Sequence, residues 1–343
     1  MRVRVQLGPP AMVSESSLLT MREDVANAKG VPKQAYTQHH NAVVRSVALL
    51  PDVKRRSIVY GISDGTIQLS RADGQTRQVE ADRPVWVVAV SNDSRYIVGG
   101  GEDGTITVWN SNLDMQQKIR STSSREKITA LNVSPDSATV ASGSEDGEVN
   151  IWSITSGKCL VGPLAAHLGQ VTCIQFSPQG DRIGTVASSE PSLCIWNSLT
   201  GDHLLNVTES NHRALVWLSD QQILAASETH TQCLDTSTGS TLATCSEGVT
   251  QLAISHGRTM VVGLNKRDVR FWDTEMLSWG PPVIEHDYEP CSISLFFYVL
   301  VAGGDGHSSV WNLTDPNLFV DSVRGLIDDV VSELFTVDDI PVG

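Results

Sequence analysis

Gly143-Ser-Glu-Asp-Gly-Glu-Val-Asn-Ile-Trp152 is the stretch of the sequence that decides the fold. Its Asp-Gly pair is typical of a tight turn, and the alternation of apolar and polar residues after it is typical of a strand. The same pattern, a turn followed by a strand ending on tryptophan, recurs in residues 101–109 and 304–311. Weaker copies end at Trp196, Leu234 and Trp272, and residues 61–70 form a seventh copy that ends on Ser70.

The spacing of these copies predicts a repeat architecture. Their last residues stand at positions 70, 109, 152, 196, 234, 272 and 311, which gives intervals of 39, 43, 44, 38, 38 and 39 residues. A second alternating pattern precedes each turn, for example Val85-Trp-Val-Val-Ala-Val90 and Val171-Thr-Cys-Ile-Gln-Phe176. A period near forty with four short strands per unit predicts an all-β, seven-bladed β-propeller.

Composition narrows the classes of function. The chain has 343 residues and a net charge of −14, which argues against a nucleic-acid partner or an anionic membrane. The six cysteines are widely spaced, so neither a disulfide scaffold nor a zinc knuckle is expected. No run of apolar residues is long enough to span a membrane. The first ten residues do not resemble a signal peptide, and we expect a cytoplasmic or nuclear protein that is not secreted.

At the turns and strand-end tryptophans the chain resembles WD40-repeat propellers, over about residues 33–314. The resemblance implies a buried network in each blade, formed by a His before the first strand, an Asp in the turn and the Trp. The matching residues are His40, His167 and His286; Asp64, Asp103, Asp146 and Asp305; and Trp109, Trp152, Trp196, Trp272 and Trp311. Glu190, Glu228 and Lys266 replace the Asp, and only the seventh blade has all three residues, so we expect apolar packing to provide most of the stability.

The ends of the chain lead to three predicted segments: an N-terminal extension (1–32), the propeller (33–314) and an acidic C-terminal helix and tail (315–343). Because the last blade of such a ring usually takes its outer strand from the N-terminus, Gln34–Gln38 is the predicted closing strand. Asn317–Val320 is the alternative, but Asp315-Pro316 favours the start of a helix. The amphipathic helix predicted for 316–335 could dock on the propeller or serve as a ligand for a partner.

The resemblance also implies a binding surface on the face where the first strands begin. Transferred position by position, it gives the candidate partner-binding residues Arg45, Trp86, Glu102, Lys127, Thr129, Glu145, Gln170, Thr172, Asn265 and Glu289. Trp86 stands out, because exposed Trp is a common interface hot spot. The alternative is that Trp86 covers the channel mouth or is buried by a loop. The mixed charges around it suit a peptide carrying both signs better than a polyanion.

Three functional classes remain open on the sequence. The prediction is a non-enzymatic scaffold, monomeric alone or a subunit of a complex, that binds a peptide or protein partner. The alternatives are a regulatory domain of a longer protein and, less favoured, a propeller enzyme, for which no convergent acids, bases or metal ligands are visible. No metal or other cofactor is expected. Lys54-Arg55-Arg56 could be a nuclear-import or acidic-partner site or a solvated loop.

Overall fold

The computed structural model describes residues 33–313 except 53–56, 121–124, 190–191, 208–210, 259, 274–275 and 297–298. Within these residues the chain forms strands and no helix, and accordingly no helix that could span a membrane. The predicted N-terminal extension, the predicted helix at 316–335, the alternative closing strand, Glu190 and the basic cluster at 54–56 lie outside the described residues.

The first four blades follow one another along the chain, each an antiparallel sheet of four strands in sequence order. Blade 1 contains β2 (Val44–Leu49), β3 (Ile58–Ile62), β4 (Thr66–Ser70) and β5 (Thr76–Glu80). Blade 2 contains β6 (Val85–Val90), β7 (Tyr96–Gly101), β8 (Thr105–Asn110) and β9 (Met115–Arg120). Blade 3 contains β10 (Ile128–Val133), β11 (Thr139–Ser144), β12 (Glu148–Ser153) and β13 (Cys159–Ala165). Blade 4 contains β14 (Val171–Phe176), β15 (Arg182–Ala187), β16 (Leu193–Asn197) and β17 (His203–Val207).

The last three blades complete the seven. Blade 5 contains β18 (Ala214–Trp217), β19 (Gln222–Ala226), β20 (Thr231–Asp235) and β21 (Thr241–Cys245). Blade 6 contains β22 (Gln251–Ile254), β23 (Val261–Asn265), β24 (Asp268–Asp273) and β25 (Ser278–Glu285). Blade 7 contains β26 (Pro290–Phe296), β27 (Val299–Gly304) and β28 (His307–Asn312), and its fourth strand is β1 (Lys33–His39). The innermost strands contact one another in order, and β26 contacts β2, so the ring closes.

The closing strand lies where the sequence predicts it. β1 pairs antiparallel with β28, from Lys33 opposite Asn312 to His39 opposite His307. β1 thus gives blade 7 the same four strands as the other blades, and the two ends of the propeller chain are joined within one sheet.

The Asp-Gly turns organise the change from the second to the third strand of a blade. The Asp64 carboxylate accepts the N–H of Thr66 at 2.8 Å, and Asp103 and Asp146 do the same for the residues two positions later. Gly147 has φ +88°, and a Cβ there would lie 2.1 Å from the carbonyl oxygen of His167. The turn therefore requires glycine for its backbone conformation and for the close approach of the next loop. Asp305 occupies the matching turn between β27 and β28.

Apolar contacts between adjacent blades form the core. Trp109, Trp152, Trp196, Trp272 and Trp311 are buried, with 5–8% of their surface exposed. Small residues in the second strands let the next blade approach: a Cβ at Gly143 would lie 2.4 Å from Val171 Cγ1, and one at Gly100 would lie 2.5 Å from Ile128 Cγ2. The glycines of these strands therefore set the distance between neighbouring sheets.

The buried polar network differs from the one that the resemblance implies. In blade 4, His167 Nε2 is hydrogen-bonded to Thr185 Oγ1 at 2.8 Å, and Trp196 Nε1 donates to the same oxygen at 3.1 Å. In blade 7, His286 and Trp311 lie edge to face with ring centroids 5.6 Å apart, but His286 Nε2 and Trp311 Nε1 are buried without a hydrogen-bond partner among the described residues. In blade 7 the His286 and Trp311 rings thus meet without the hydrogen bonds of blade 4, because Ala302 has no hydroxyl group where blade 4 has Thr185.

Candidate functional site

In five of the seven blades, a β-bulge at the start of the innermost strand leaves one residue out of the ladder. The pairing register shifts between Val44 and Ser46 in β2, and in the same way at β6, β10, β14 and β26. A bulge residue is left unpaired and its side chain is redirected. The residues in these bulges are Arg45, Trp86, Thr129, Thr172 and Cys291. We call the side of the ring on which the innermost strands begin the upper face.

Four of these five residues are candidates from the sequence, and Cys291 was missed. Cys291 is exposed and shares the upper face with Arg45; partial burial of its thiol raises the pKa of Cys291, and the Arg45 charge opposes that shift. The signal that could have identified it is positional, since Cys291 follows the first residue of β26 just as Arg45 follows Val44.

Trp86 lies between the cations of its two neighbouring blades. The Cζ atom of Arg45 in blade 1 is 4.2 Å from the centroid of the Trp86 ring, and Nζ of Lys127, next to blade 3, is also 4.2 Å from it. Both distances are within the range of cation–π attraction. Trp86 is half-buried, so it is neither enclosed in the core nor a free aromatic surface. The three side chains form a unit that we call the Trp86 stack.

The two cations of the Trp86 stack differ in what they bind. Lys127 Nζ lies 3.1 Å from Glu145 Oε1, and its side chain is only 17% exposed. Arg45 has neither a hydrogen bond nor an ion pair with any described residue, and its Nε is buried without a partner, as is Nε1 of Trp86. Burying a donor without an acceptor costs free energy. The stack therefore contains Lys127, which is paired with Glu145, and the Arg45 guanidinium group, which lacks an acceptor among the described residues.

Several other candidates on this face serve the ring itself. Thr129 Oγ1 donates to the carbonyl oxygen of Val171 at 2.6 Å, and Thr172 Oγ1 donates to that of Arg213 at 3.0 Å. Both hydroxyl groups thus tie one blade to the next. Asn265 Nδ2 donates to the Gly248 carbonyl at 3.1 Å. These side chains hold the upper face in place and have fewer donors left for a partner.

The acidic candidates remain at the surface. Glu102, Glu145 and Glu289 are exposed, and Gln170 is half-buried with its carbonyl oxygen accepting the N–H of Ser188 at 2.9 Å. The same backbone bond joins Lys127 to Glu145 and Pro84 to Glu102. The recurrent bond places the residue before each innermost strand beside the residue that begins the turn, which brings the candidates of one blade together.

In the described part of the chain, no group of three or more His, Cys, Asp or Glu side chains is placed to hold a metal ion. The six cysteines are all free thiols. The arrangement on the upper face therefore offers hydrogen bonding, charge and an aromatic ring, which are the means of recognition.

Comparisons with known proteins agree with this geometry. The family model described as "WD domain, G-beta repeat" matches residues 75–110, 116–153 and 157–197. Each matched segment runs from the outer strand of one blade to the third strand of the next. No curated protein matches the sequence. A chain from a solved structure described as "Crystal Structure of Mitotic Checkpoint Complex" superposes with a TM-score of 0.74 at 13% identity, over 91% of this chain and 98% of that chain. At 13% identity, this similarity shows a shared fold and nothing more.

Proposed function

We propose that this chain, a seven-bladed β-propeller with WD40 repeats at three positions, is a non-enzymatic interaction module that holds a segment of a protein partner on its upper face. WD40 propellers are generally interaction domains, and the structural neighbour is itself part of a protein complex. A rigid ring whose blades present loops to one side is well suited to this role.

The observation that carries the proposal is the Trp86 stack. Trp and Arg are the residue types most enriched among interface hot spots. Here they are held in contact, with Arg45 Cζ 4.2 Å from the ring centroid, so little side-chain entropy remains to be lost on binding. Because Nε of Arg45 is buried, its two terminal Nη groups are the donors that could bind a carboxylate through two parallel hydrogen bonds.

The charges around the stack define the partner more closely. Arg45 favours an acidic residue of the partner, whereas the exposed Glu102, Glu145 and Glu289 favour basic residues beside it. A peptide with one acidic anchor and basic flanks satisfies both. A polyanion would be repelled by these acidic side chains and by the net charge of −14 on the chain.

The test is an affinity capture from the source cell with three forms of the full chain: wild type, Trp86→Ala and Leu199→Ala. Leu199 is 80% exposed and lies between the third and fourth strands of blade 4, on the side opposite the upper face, so it is a matched control. A partner retained by wild type and Leu199→Ala and lost by Trp86→Ala is the expected result.

The captured partner is then measured by calorimetry against the purified variants. Trp86→Ala should weaken binding by about 2 kcal/mol or more, roughly thirtyfold, and Arg45→Ala by a similar amount. Melting temperatures should stay near that of wild type, because Trp86 is half-buried and is not a member of the apolar clusters on either side of blade 2. A partner that binds Trp86→Ala as tightly as wild type, or a Trp86→Ala chain that unfolds, would contradict the proposal.

A further inference from the structure

The loop that leads into each innermost strand places one residue of every blade at the same position on the upper face. This residue lies three positions before the strand begins, as Leu168 does before Val171 of β14. In blade order, the residues at this position are Asn41, Asp82, Arg125, Leu168, Asn211, Gly248 and Asp287. Five of the seven are polar or charged and exposed, which is usual for a surface loop. Leu168 is the one large apolar side chain at this position.

Leu168 projects from a loop that is packed on both sides. It is 91% exposed, more than any other large apolar residue that the structure describes, although the preceding His167 is buried. On the side of blade 3, a Cβ at Gly147 would lie 2.1 Å from the carbonyl oxygen of His167. On the side of blade 4, a Cβ at Gly169 would lie 3.1 Å from Ser188 Oγ. The ring therefore holds the loop in place and leaves Leu168 in water, so little freedom remains to be lost when a partner binds there.

Leu168 continues the path of contacts that the Trp86 stack begins. An exposed leucine taken alone is ordinary on a protein surface, so its position is what matters. The stack spans blades 1 to 3 and ends at Lys127, which is paired with Glu145. Two residues after Glu145, the backbone of Gly147 lies against the loop that carries Leu168. Contacts thus lead along the upper face from the stack to Leu168, and we call this path the upper-face strip.

The chemistry of the upper-face strip changes from one end to the other. Arg45, at one end, has a guanidinium group without an acceptor among the described residues. The Glu145 side chain, in the middle, is 46% exposed even though it is paired with Lys127. Leu168, at the other end, offers apolar surface only. The groups complementary to these three zones are a carboxylate, a cation and an apolar side chain.

We propose that Leu168 binds an apolar side chain of the partner segment, and that this segment places an acidic, a basic and an apolar residue along the upper-face strip in that order. The inference rests on the proposed function, because it assigns a further contact to the same segment. Since Arg45 and Leu168 differ in chemistry and lie at opposite ends of the strip, the segment binds in one direction only.

The experiment is a selection of random peptides displayed on phage against three immobilised forms of the full chain: wild type, Leu168→Asn and Leu199→Asn. Leu168→Asn introduces the residue that blades 1 and 5 already have at the equivalent position, so the loop should keep its structure. Leu199→Asn is the matched control, because Leu199 is 80% exposed and lies on the opposite side of the ring.

Peptides selected by wild type and by Leu199→Asn should be enriched in an acidic, a basic and an apolar residue. Peptides selected by Leu168→Asn should keep the acidic residue and lose the enrichment of the apolar one. A synthetic copy of the most enriched wild-type peptide should bind Leu168→Asn about tenfold more weakly than wild type, which is the expected loss when a leucine is no longer buried. The same peptide should bind Leu199→Asn as tightly as wild type.

The two proposals fail in different ways. If Trp86→Ala no longer binds the selected peptide but Leu168→Asn binds it as tightly as wild type, the role of Leu168 is overturned and the proposed function stands. Undiminished enrichment of the apolar residue on Leu168→Asn overturns it as well. If wild type selects no peptide, or if Trp86→Ala binds the selected peptide unchanged, both proposals are contradicted. Leu168→Ala replaces Leu168→Asn if the melting temperature shows that the asparagine variant is not folded.

Discussion

Replacement of Trp152 tests whether the strand-end tryptophans carry the stability of the ring. Trp152 is 5% exposed and packs in one apolar cluster with Val108, Ile128 and Val140, and its Nε1 donates to Ser142 at 2.8 Å. Trp152→Ala removes the buried ring and leaves a cavity, which costs about 3–5 kcal/mol for large-to-small changes in a core. In a domain of this size each kcal/mol lowers the melting temperature by about 2–4 °C, so the expected decrease is about 6–20 °C.

A pair of phenylalanine variants separates the hydrogen bond from the apolar contacts. Trp152→Phe keeps most of the aromatic ring but removes the N–H that donates to Ser142. Trp109→Phe breaks no such bond, because Gly99, at the position equivalent to Ser142, has no side chain to accept one. Trp152→Phe should therefore be more destabilising than Trp109→Phe by about 1 kcal/mol, the net contribution of one hydrogen bond. Urea unfolding followed by circular dichroism measures both. Equal losses for the two variants, or a loss below about 1 kcal/mol for Trp152→Ala, would refute this account of the core.

Two further predictions concern buried positions outside the tryptophans. Burial lowers the pKa of His212 to about 4, so the folded state binds fewer protons than the unfolded state between about pH 6.5 and pH 4. The free energy of unfolding should consequently decrease by on the order of 2 kcal/mol between pH 7 and pH 5 because of this residue. In urea titrations at the two pH values, His212→Gln should lose less stability than wild type. A loss equal to that of wild type would contradict the assignment. Gly143→Ala places a Cβ 2.4 Å from Val171 and should lower the free energy of unfolding by about 1–3 kcal/mol. Gly280→Ala, with nothing within 4 Å of the added Cβ, should be close to neutral. Equal melting temperatures for the two variants would show that the sheets can move apart to admit the methyl group.

The number and order of the blades could be predicted because the repeat is visible in residues that the fold needs. The turn Asp, the following Gly and the strand-end Trp recur at intervals of 38–44 residues, and even Ser70 and Leu234, which replace the Trp, lie last or next to last in the third strands of their blades. The closing strand could be predicted from the resemblance to WD40 propellers, whose last blade takes its outer strand from the N-terminus. These features depend on local patterns along one segment of chain.

The site was predicted by position, but its chemistry was not. That Trp86 contacts Arg45 and Lys127 depends on how three blades sit beside one another, which no single repeat encodes. For the same reason the sequence could not show that Thr129 and Thr172 use their hydroxyl groups between blades. The missing hydrogen bonds in blade 7 follow from the absent hydroxyl group at Ala302, and they become visible only when equivalent positions of the blades are compared.

The pairing of β1 with β28 has a consequence for the synthesis of the protein. Lys33 and Asn312 are neighbours in the sheet but 312 − 33 = 279 residues apart along the chain. At about 5–20 residues per second, β1 leaves the ribosome roughly 15–55 s before its partner strand exists. During that interval its backbone groups are unpaired and can form a sheet with another nascent chain. Until β28 has been synthesised, β1 therefore relies on water or chaperones for its backbone hydrogen bonds.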